Sequence, residues 1–319
     1  MLNDKNVEET MDVSEELGFL TYYQESLLGQ PVSDWRVRKW LFLSSPYPFL
    51  WILVCYFSFL YFGRQFMKSR PAFSLKKVLL TYNVTQILLS CYVFKEVLIT
   101  AYLSGYNLIC QPIDRSLDPL PLRMAEAFWW FLASKVFDLL DTVFFVLRKK
   151  ESQLTFLHIY HHSTMLPNWY LGILYLPGGQ AFLSVLLNSL VHVIMYSYYM
   201  LSALGPALQP YLWWKKYLTQ LQLTQFLVVS AHILVGMYHS CDPPNWLTTW
   251  TLSYMCTMVA LFLNFYFKAY LRPLPSKTST NCFPAYYRDP KEELTHLYAV
   301  YEKRGHVEGG KSWKGCWRR

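Results

Sequence analysis

The chain has 319 residues, of which 53% are hydrophobic and only 16% charged, with a mean hydropathy of +0.15 and a net charge of +8. Soluble domains run near a quarter charged, so these numbers exclude an ordinary water-soluble globule, a disordered chain and a collagen. Aromatic residues reach 18%, which points to membrane interfaces; nucleic acid is not needed as a partner to explain the positive charge.

The first 46 residues are polar and hold eight Asp or Glu but one Lys up to Asp34. No basic stretch followed by an apolar one marks a cleavable leader there. Residues 1–46 are therefore expected to form a polar extracytosolic segment. The first apolar run, Tyr47 to Phe62, is closed by Gly63-Arg64. Further runs follow at about 78–103, 124–147, 154–176, 180–203, 217–239 and 246–270. Each is near the ~20 residues that cross ~30 Å of hydrocarbon. The pattern predicts an all-α integral membrane protein with seven transmembrane helices over 47–270, six or eight being the alternatives. Residues 271–319 read as a basic, solvated cytosolic tail. With seven spans, the short loops on the tail's side carry 10 Lys or Arg and those opposite carry 2. Positive loops stay cytosolic, which predicts an extracytosolic N-terminus and a cytosolic C-terminus.

The seven Cys form no spaced metal cluster. Cys110 and Cys241 fall in predicted extracytosolic loops, where disulfides persist; a bridge and two free thiols both fit. Asn83-Val84-Thr85 is a glycosylation sequon inside the second span and is expected to be unused.

An ionisable residue inside a span is a functional hypothesis by default. In the third span Lys135, Asp138 and Asp141 stand at i, i+3 and i+6, along one helical side. A packing salt bridge is the plain alternative for this group. The fourth span opens with His158-Ile159-Tyr160-His161-His162, whose three imidazoles share a helix face. The fifth places Asn188 and His192 at i and i+4, continued by Tyr196 and Tyr199. The sixth carries Thr219, Gln222 and Gln225, which interhelical hydrogen bonding could also explain. Four neighbouring spans thus direct polar groups inward, towards a chamber on the cytosolic side. Arg148, Lys149, Lys150, Lys215 and Lys216 rim its mouth. Phosphates of a soluble substrate and anionic lipid headgroups both suit that rim.

The His-x-x-His-His spacing serves two chemistries. Membrane desaturases and hydroxylases hold two irons with several such boxes, drawing on about eight His. This chain has eight His in all, but His239 lies near the other end of its span, and His296 and His306 are in the tail. At most five, counting His192 and His232, could share a site. A full di-iron centre does not fit that count; a single zinc does. The other chemistry needs no metal, and no metal ligand is assigned. A neutral imidazole can attack a thioester when its second nitrogen is held as a donor, and Asp141 is the candidate to hold it. A seven-span receptor matches the topology but leaves the His cluster unexplained.

These residues carry a resemblance. The blocks Lys135-x-x-Asp138-x-x-Asp141-Thr142, His158-x-x-His161-His162, Asn188-x-x-x-His192-x-x-Met195-Tyr196-x-Tyr198-Tyr199 and Thr219-x-x-Gln222-x-x-Gln225-Phe226 run in the order of the ELO very-long-chain fatty-acid elongases. The chain resembles that family from about residue 45 to 270. Asp138 departs from it, standing where the family usually has Glu, so the reach to Lys135 is one methylene shorter. The terminal Trp317-Arg318-Arg319 lacks the dilysine signal of many relatives.

The resemblance implies a seven-helix fold with six helices enclosing a narrow tunnel, and a lumenal Cys110–Cys241 disulfide. It implies an acyltransferase of the endoplasmic reticulum membrane, a 3-oxoacyl-CoA synthase that condenses acyl-CoA with malonyl-CoA. No bound cofactor is expected. Implied partners are membrane lipid and the 3-oxoacyl-CoA reductase, dehydratase and enoyl reductase of the elongation cycle; a homodimer is consistent with it. His161 would be the nucleophile. His158, His162 and Asp141 would orient it, and His192 and Asn188 would stabilise oxyanions. Lys135, Asp138, Arg148, Lys149, Tyr196, Tyr199, Lys215, Gln222 and Gln225 would bind substrate. Acyl length would be set near Tyr170 to Pro177. Gln153 leans towards the branch that acts on longer or polyunsaturated chains.

Overall fold

A computed structural model describes residues 33–241 and 245–271. Most of the acidic N-terminal stretch, and the tail with its terminal signal residues, lie outside the described residues. Within them the structure is all-helical. Eight α-helices follow in order: α1 (Tyr47–Met67), α2 (Lys76–Leu103), α3 (Pro119–Asp138), α4 (Leu140–Leu147), α5 (Phe156–Tyr175), α6 (Phe182–Leu204), α7 (Lys215–Tyr238) and α8 (Asn245–Tyr266). A π turn, Phe267–Leu271, extends the last of them.

Five helical stretches are long and apolar enough to cross a membrane: Tyr47–Met67, Lys76–Leu103, Gly179–Leu204, Lys215–Tyr238 and Trp246–Leu271. The chain is a membrane protein with an all-helical body. Two of the seven expected spans do not meet the same standard, and both are the ones richest in chemistry. The run at 124–147 carries Lys135, Asp138 and Asp141, and the run at 154–176 carries the three clustered His.

The 124–147 run is also not one helix. Its helix starts earlier, at Pro119, and breaks at Leu139 into α3 and α4. At the break Leu139 N bonds Val136 O at 3.3 Å and Thr142 N bonds Leu139 O at 3.2 Å. These i→i+3 bonds tighten the turn towards 3₁₀ geometry, in which side chains three apart eclipse. Asp138 and Asp141 are brought into line by that change.

Neighbour packing runs from α2 to α6, α6 to α7, α7 to α8, α8 to α5, α5 to α3 and α3 back to α2. The circuit closes through six helices. Helix α1 stands outside it, against α4 and α5. The largest apolar cluster joins Phe49 of α1, Val93 and Val97 of α2, Phe128 and Phe131 of α3, Leu166 and Ile173 of α5, and Val185 of α6. Val37 and Leu43, from the segment before α1, are buried in the same cluster.

That segment is tied down by charge. Asp34 and Arg36 are fully and almost fully buried, and Arg36 Nη2 meets Asp34 Oδ2 at 2.8 Å. Arg36 Nη1 also donates to Ser116 O at 2.9 Å, and Asp34 N donates to Leu174 O at 2.7 Å. One ion pair thus joins the α2–α3 connection to the end of α5. The α2–α3 connection has further ties. Cys110 is disulfide-bonded to Cys241, just past α7, across 131 residues of sequence. The Gln180 side chain accepts from Gln111 N at 2.9 Å and donates to Ile109 O at 3.2 Å. Gly179 is required beside it: its φ is +52° and a Cβ would lie 2.4 Å from Ile113.

Breaking one partner of a buried ion pair costs about 3–5 kcal/mol, because the other charge stays buried. Asp34→Ala is expected to lower the thermal unfolding midpoint of the purified protein accordingly. The double replacement Asp34→Leu with Arg36→Met is expected to recover most of the loss; equal or greater loss in the double variant would contradict this account.

Candidate active site

Polar residues of the third, fourth and fifth expected spans meet, with two from α2, in one cluster between α2, α3, α4, α5 and α6, buried around Lys135 and half-buried at the His box. Lys135 sits near the end of α3 and is 2% exposed. An ammonium has three protons and no acceptor, and here it finds three partners. Its Nζ donates to Asn188 Oδ1 at 2.9 Å and to Asp138 Oδ2 at 3.2 Å. His192 Nδ1 lies 3.3 Å away. Since the ammonium only donates, Nδ1 accepts, and a neutral ring then carries its proton on Nε2. The ammonium also lies 4.4 Å from the centroid of the Phe131 ring. The shorter reach of Asp138 therefore keeps the lysine contact.

Asp138 and Asp141 share a second hub. Tyr196, completely buried on α6, places its hydroxyl 2.8 Å from Asp138 Oδ1 and 3.1 Å from Asp141 Oδ2. Gln86 of α2 donates to Asp138 Oδ1 at 2.5 Å and lies 3.3 Å from the Tyr196 hydroxyl. Tyr82, one turn earlier, donates to Phe137 O at 3.3 Å beside the helix break. Tyr82 and Gln86 are not among the residues expected from the sequence. Their signal was available: a Tyr and a Gln four apart on one face of an apolar span.

The His box begins α5, and local chemistry sets its position. Thr155 caps the helix, its hydroxyl accepting from His158 N at 3.2 Å, which satisfies one free N–H of the first turn. His158 Nε2 then meets Thr142 Oγ1 at 2.8 Å, and Tyr56 of α1 reaches the same hydroxyl at 3.1 Å. This corrects the expectation for Asp141. The group on the box imidazole is Thr142, while Asp141 is turned to Tyr196. The break at Leu139 explains the exchange, since it aligns Asp141 with Asp138 and leaves the next residue facing α5.

The three box rings lie against one another, His162 tilted on His158 and edge-on to His161. The His158 and His162 centroids are 4.1 Å apart, and those of His161 and His162 are 5.3 Å apart. His161 lies within Coulombic range of Lys135, Asp138 and His192. Among the described residues, neither His161 nor His162 makes a side-chain hydrogen bond. Pro167 interrupts the same helix one turn further on. Thr164 and Asn168 supply local bonds there, Thr164 Oγ1 to Tyr160 O at 2.6 Å and Asn168 Nδ2 to Thr164 O at 2.7 Å.

Other expected residues stand apart from this cluster. Tyr199 touches the Tyr196 ring at 5.9 Å but is 37% exposed. Gln222 Nε2 is 3.5 Å from Met195 Sδ, Gln225 is buried on α7, and Lys215 begins that helix. Arg148 lines a groove with Lys76 and Gln209, and Lys149 donates to Lys68 O at 3.3 Å. Among the described residues no three His, Cys, Asp or Glu side chains converge as a metal would require.

Removing the Tyr196 hydroxyl takes a buried donor from two carboxylates. Tyr196→Phe is expected to cost about 1–3 kcal/mol of stability, read as a fall in thermal midpoint. Tyr102→Phe, at a side chain 84% exposed, is expected to leave the midpoint unchanged.

The chain is similar to known proteins over most of its length. The model of the ELO family (GNS1/SUR4) matches residues 41–278. Very long chain fatty acid elongase 4 of Mus musculus is 45% identical over 247 residues, covering 77% of this chain and 79% of that protein. Very long chain fatty acid elongase 2 of Rattus norvegicus is 45% identical over 244 residues, covering 76% and 86%. Very long chain fatty acid elongase 5 of Tachysurus fulvidraco is 41% identical over 249 residues, covering 76% and 84%. With a match of this extent, the chain belongs to the ELO (GNS1/SUR4) family.

Proposed function

We propose that the protein is a very-long-chain 3-oxoacyl-CoA synthase, condensing acyl-CoA with malonyl-CoA in the first step of fatty-acid elongation. Its relatives' names as very long chain fatty acid elongases support the reaction class. The observation that carries the mechanism is the unequal tethering of the imidazoles. His158 is held by Thr142 and His192 by Lys135, whereas His161 lies beside them untied.

His161 attacks the thioester carbonyl; the C–S bond breaks and CoA leaves as its thiol, giving an acyl-imidazole. Malonyl-CoA then loses CO2, and the electron pair of that bond becomes its enolate. The enolate carbon attacks the acyl carbonyl, the C–N bond breaks, and the departing imidazole nitrogen takes a proton from solvent, replacing the one that left with the CoA thiol, so that 3-oxoacyl-CoA and neutral His161 result. His192 Nε2–H and Asn188 stabilise the oxyanions, with His158, His162 and Asp141 fixing the nucleophile's surroundings. Lys135, Asp138 and Tyr196 shape the carboxylate and thioester site, and Tyr199, Gln222 and Gln225, outside that cluster, contact more distant parts of the substrates. Arg148, Lys149 and Lys215 receive the CoA phosphates. The reaction needs no bound cofactor.

The body at 47–270 spans the membrane seven times, and the closed packing circuit of six helices supports a tunnel for the acyl chain. The segment 1–46 is lumenal and the tail 271–319 cytosolic, in the endoplasmic reticulum, as the charge bias of the loops supports. The 3-oxoacyl product passes to a separate reductase, dehydratase and enoyl reductase.

Single-turnover mixing with acyl-CoA alone is expected to give an acyl adduct on His161 by peptide mass spectrometry; its absence would remove the covalent step. With labelled malonyl-CoA and a panel of acyl-CoAs, His161→Ala is expected to lose condensation by a factor of ~10³ or more. Normal condensation in that variant would overturn the assignment.

A further inference from the structure

Helix α1 stands outside the six-helix circuit, and its outer face exposes Trp51, Val54, Phe57 and Tyr61. An open groove of about 560 Å³ lies between the second half of α1 and the turn that leads to α5. Phe57, Leu60 and Tyr61 form its apolar part, and Arg64, Lys68 and Glu151 its polar end. The gradient follows the helix axis. From Phe57 to Lys68 the rise is about 16 Å at 1.5 Å per residue, close to the hydrocarbon depth of one leaflet, half of ~30 Å.

We propose that this groove is a binding site for an anionic phospholipid of the surrounding bilayer, with one acyl chain along Phe57, Leu60 and Tyr61 and the phosphate on Arg64 and Lys68. Charge complementarity selects this occupant. Arg64 contacts the Glu151 carboxylate, and both side chains are about half exposed, at 44% and 54%. Lys68 has no carboxylate partner among the described residues. Arg70, Lys149 and Lys150 stand close by in sequence, and Lys149 Nζ reaches Lys68 O. The polar end thus holds a cationic excess against one carboxylate. A free phosphate would leave the three apolar walls unused. A second copy paired two-fold through this face would bring like charges together.

The site has a consequence for the polar cluster. Glu151 opens the 3₁₀ turn Glu151–Gln153, and Thr155, the cap of α5, follows. A lipid phosphate at Arg64 competes with Glu151 for the guanidinium, so lipid occupancy bears on the turn that sets the start of the His box.

The full chain in detergent, given phosphatidylserine or phosphatidylcholine with the same acyl chains, is the test by native mass spectrometry. The anionic lipid is expected to be retained about tenfold more, given the attraction of two basic side chains. Arg64→Gln with Lys68→Gln is expected to abolish that preference, and Leu60→Trp, which fills the groove without altering charge, to lower retention. Glu151→Gln, which frees Arg64, is expected to raise it. Equal retention of the two lipids would overturn the proposal. So would unchanged retention in Leu60→Trp, or displacement of the lipid by inorganic phosphate. If the doubly substituted protein does not fold, Leu60→Trp and Glu151→Gln carry the test by themselves.

Discussion

A lysine ammonium buried among apolar helices has to be surrounded by acceptors, and most of the site follows from that requirement. Lys135 obtains its acceptors from two helices: Asp138 one turn along its own α3, and Asn188 and His192 on α6. The carboxylate brings needs of its own, met by Gln86 of α2 and Tyr196 of α6. Removing any member strands a charged or polar group where water cannot replace it. The network therefore fixes the relative placement of α2, α3 and α6 more strictly than apolar packing would, because lipid solvates apolar helix faces as well as another helix does.

The same network divides the histidines by how they are held. His158 and His192 each have a ring nitrogen committed to a neighbour, so their orientation is set; for His192 the partner is an ammonium, which only donates. His161 lies next to both and is bound to neither. No side chain holds its second nitrogen among the described residues, so the orientation of that ring comes from packing, edge-on to His162. The His box is placed by a threonine cap at one end and a proline interruption further along, both within α5.

The two ends of the body differ in how they are built. Where α2 passes into α3, a buried ion pair, a disulfide and the Gln180 side chain hold loops to helices. At the other end lie Arg64, Lys68, Arg148, Lys149 and Lys215, at or near helix ends. The first end is built of ties between loops and helices; the second gathers basic side chains.

Much of this was legible in the chain itself. Hydropathy located the helices to within a few residues, because a span must be apolar over a length set by the bilayer. Helical spacing placed Lys135 with Asp138, Asn188 with His192, and the three box imidazoles on shared faces, because local contacts depend only on the 3.6-residue repeat. Which face meets which was not legible. The break at Leu139, invisible in an apolar run, turned Asp141 to Tyr196 and gave Thr142 to His158. Gln86 and Tyr82 joined the site from a helix to which no site residue had been assigned. The pattern of residues determined a set of amphipathic helices with polar groups to satisfy; their partners were decided only by tertiary packing, since hydrogen bonds between helices depend on rotations and breaks that a one-dimensional repeat does not encode.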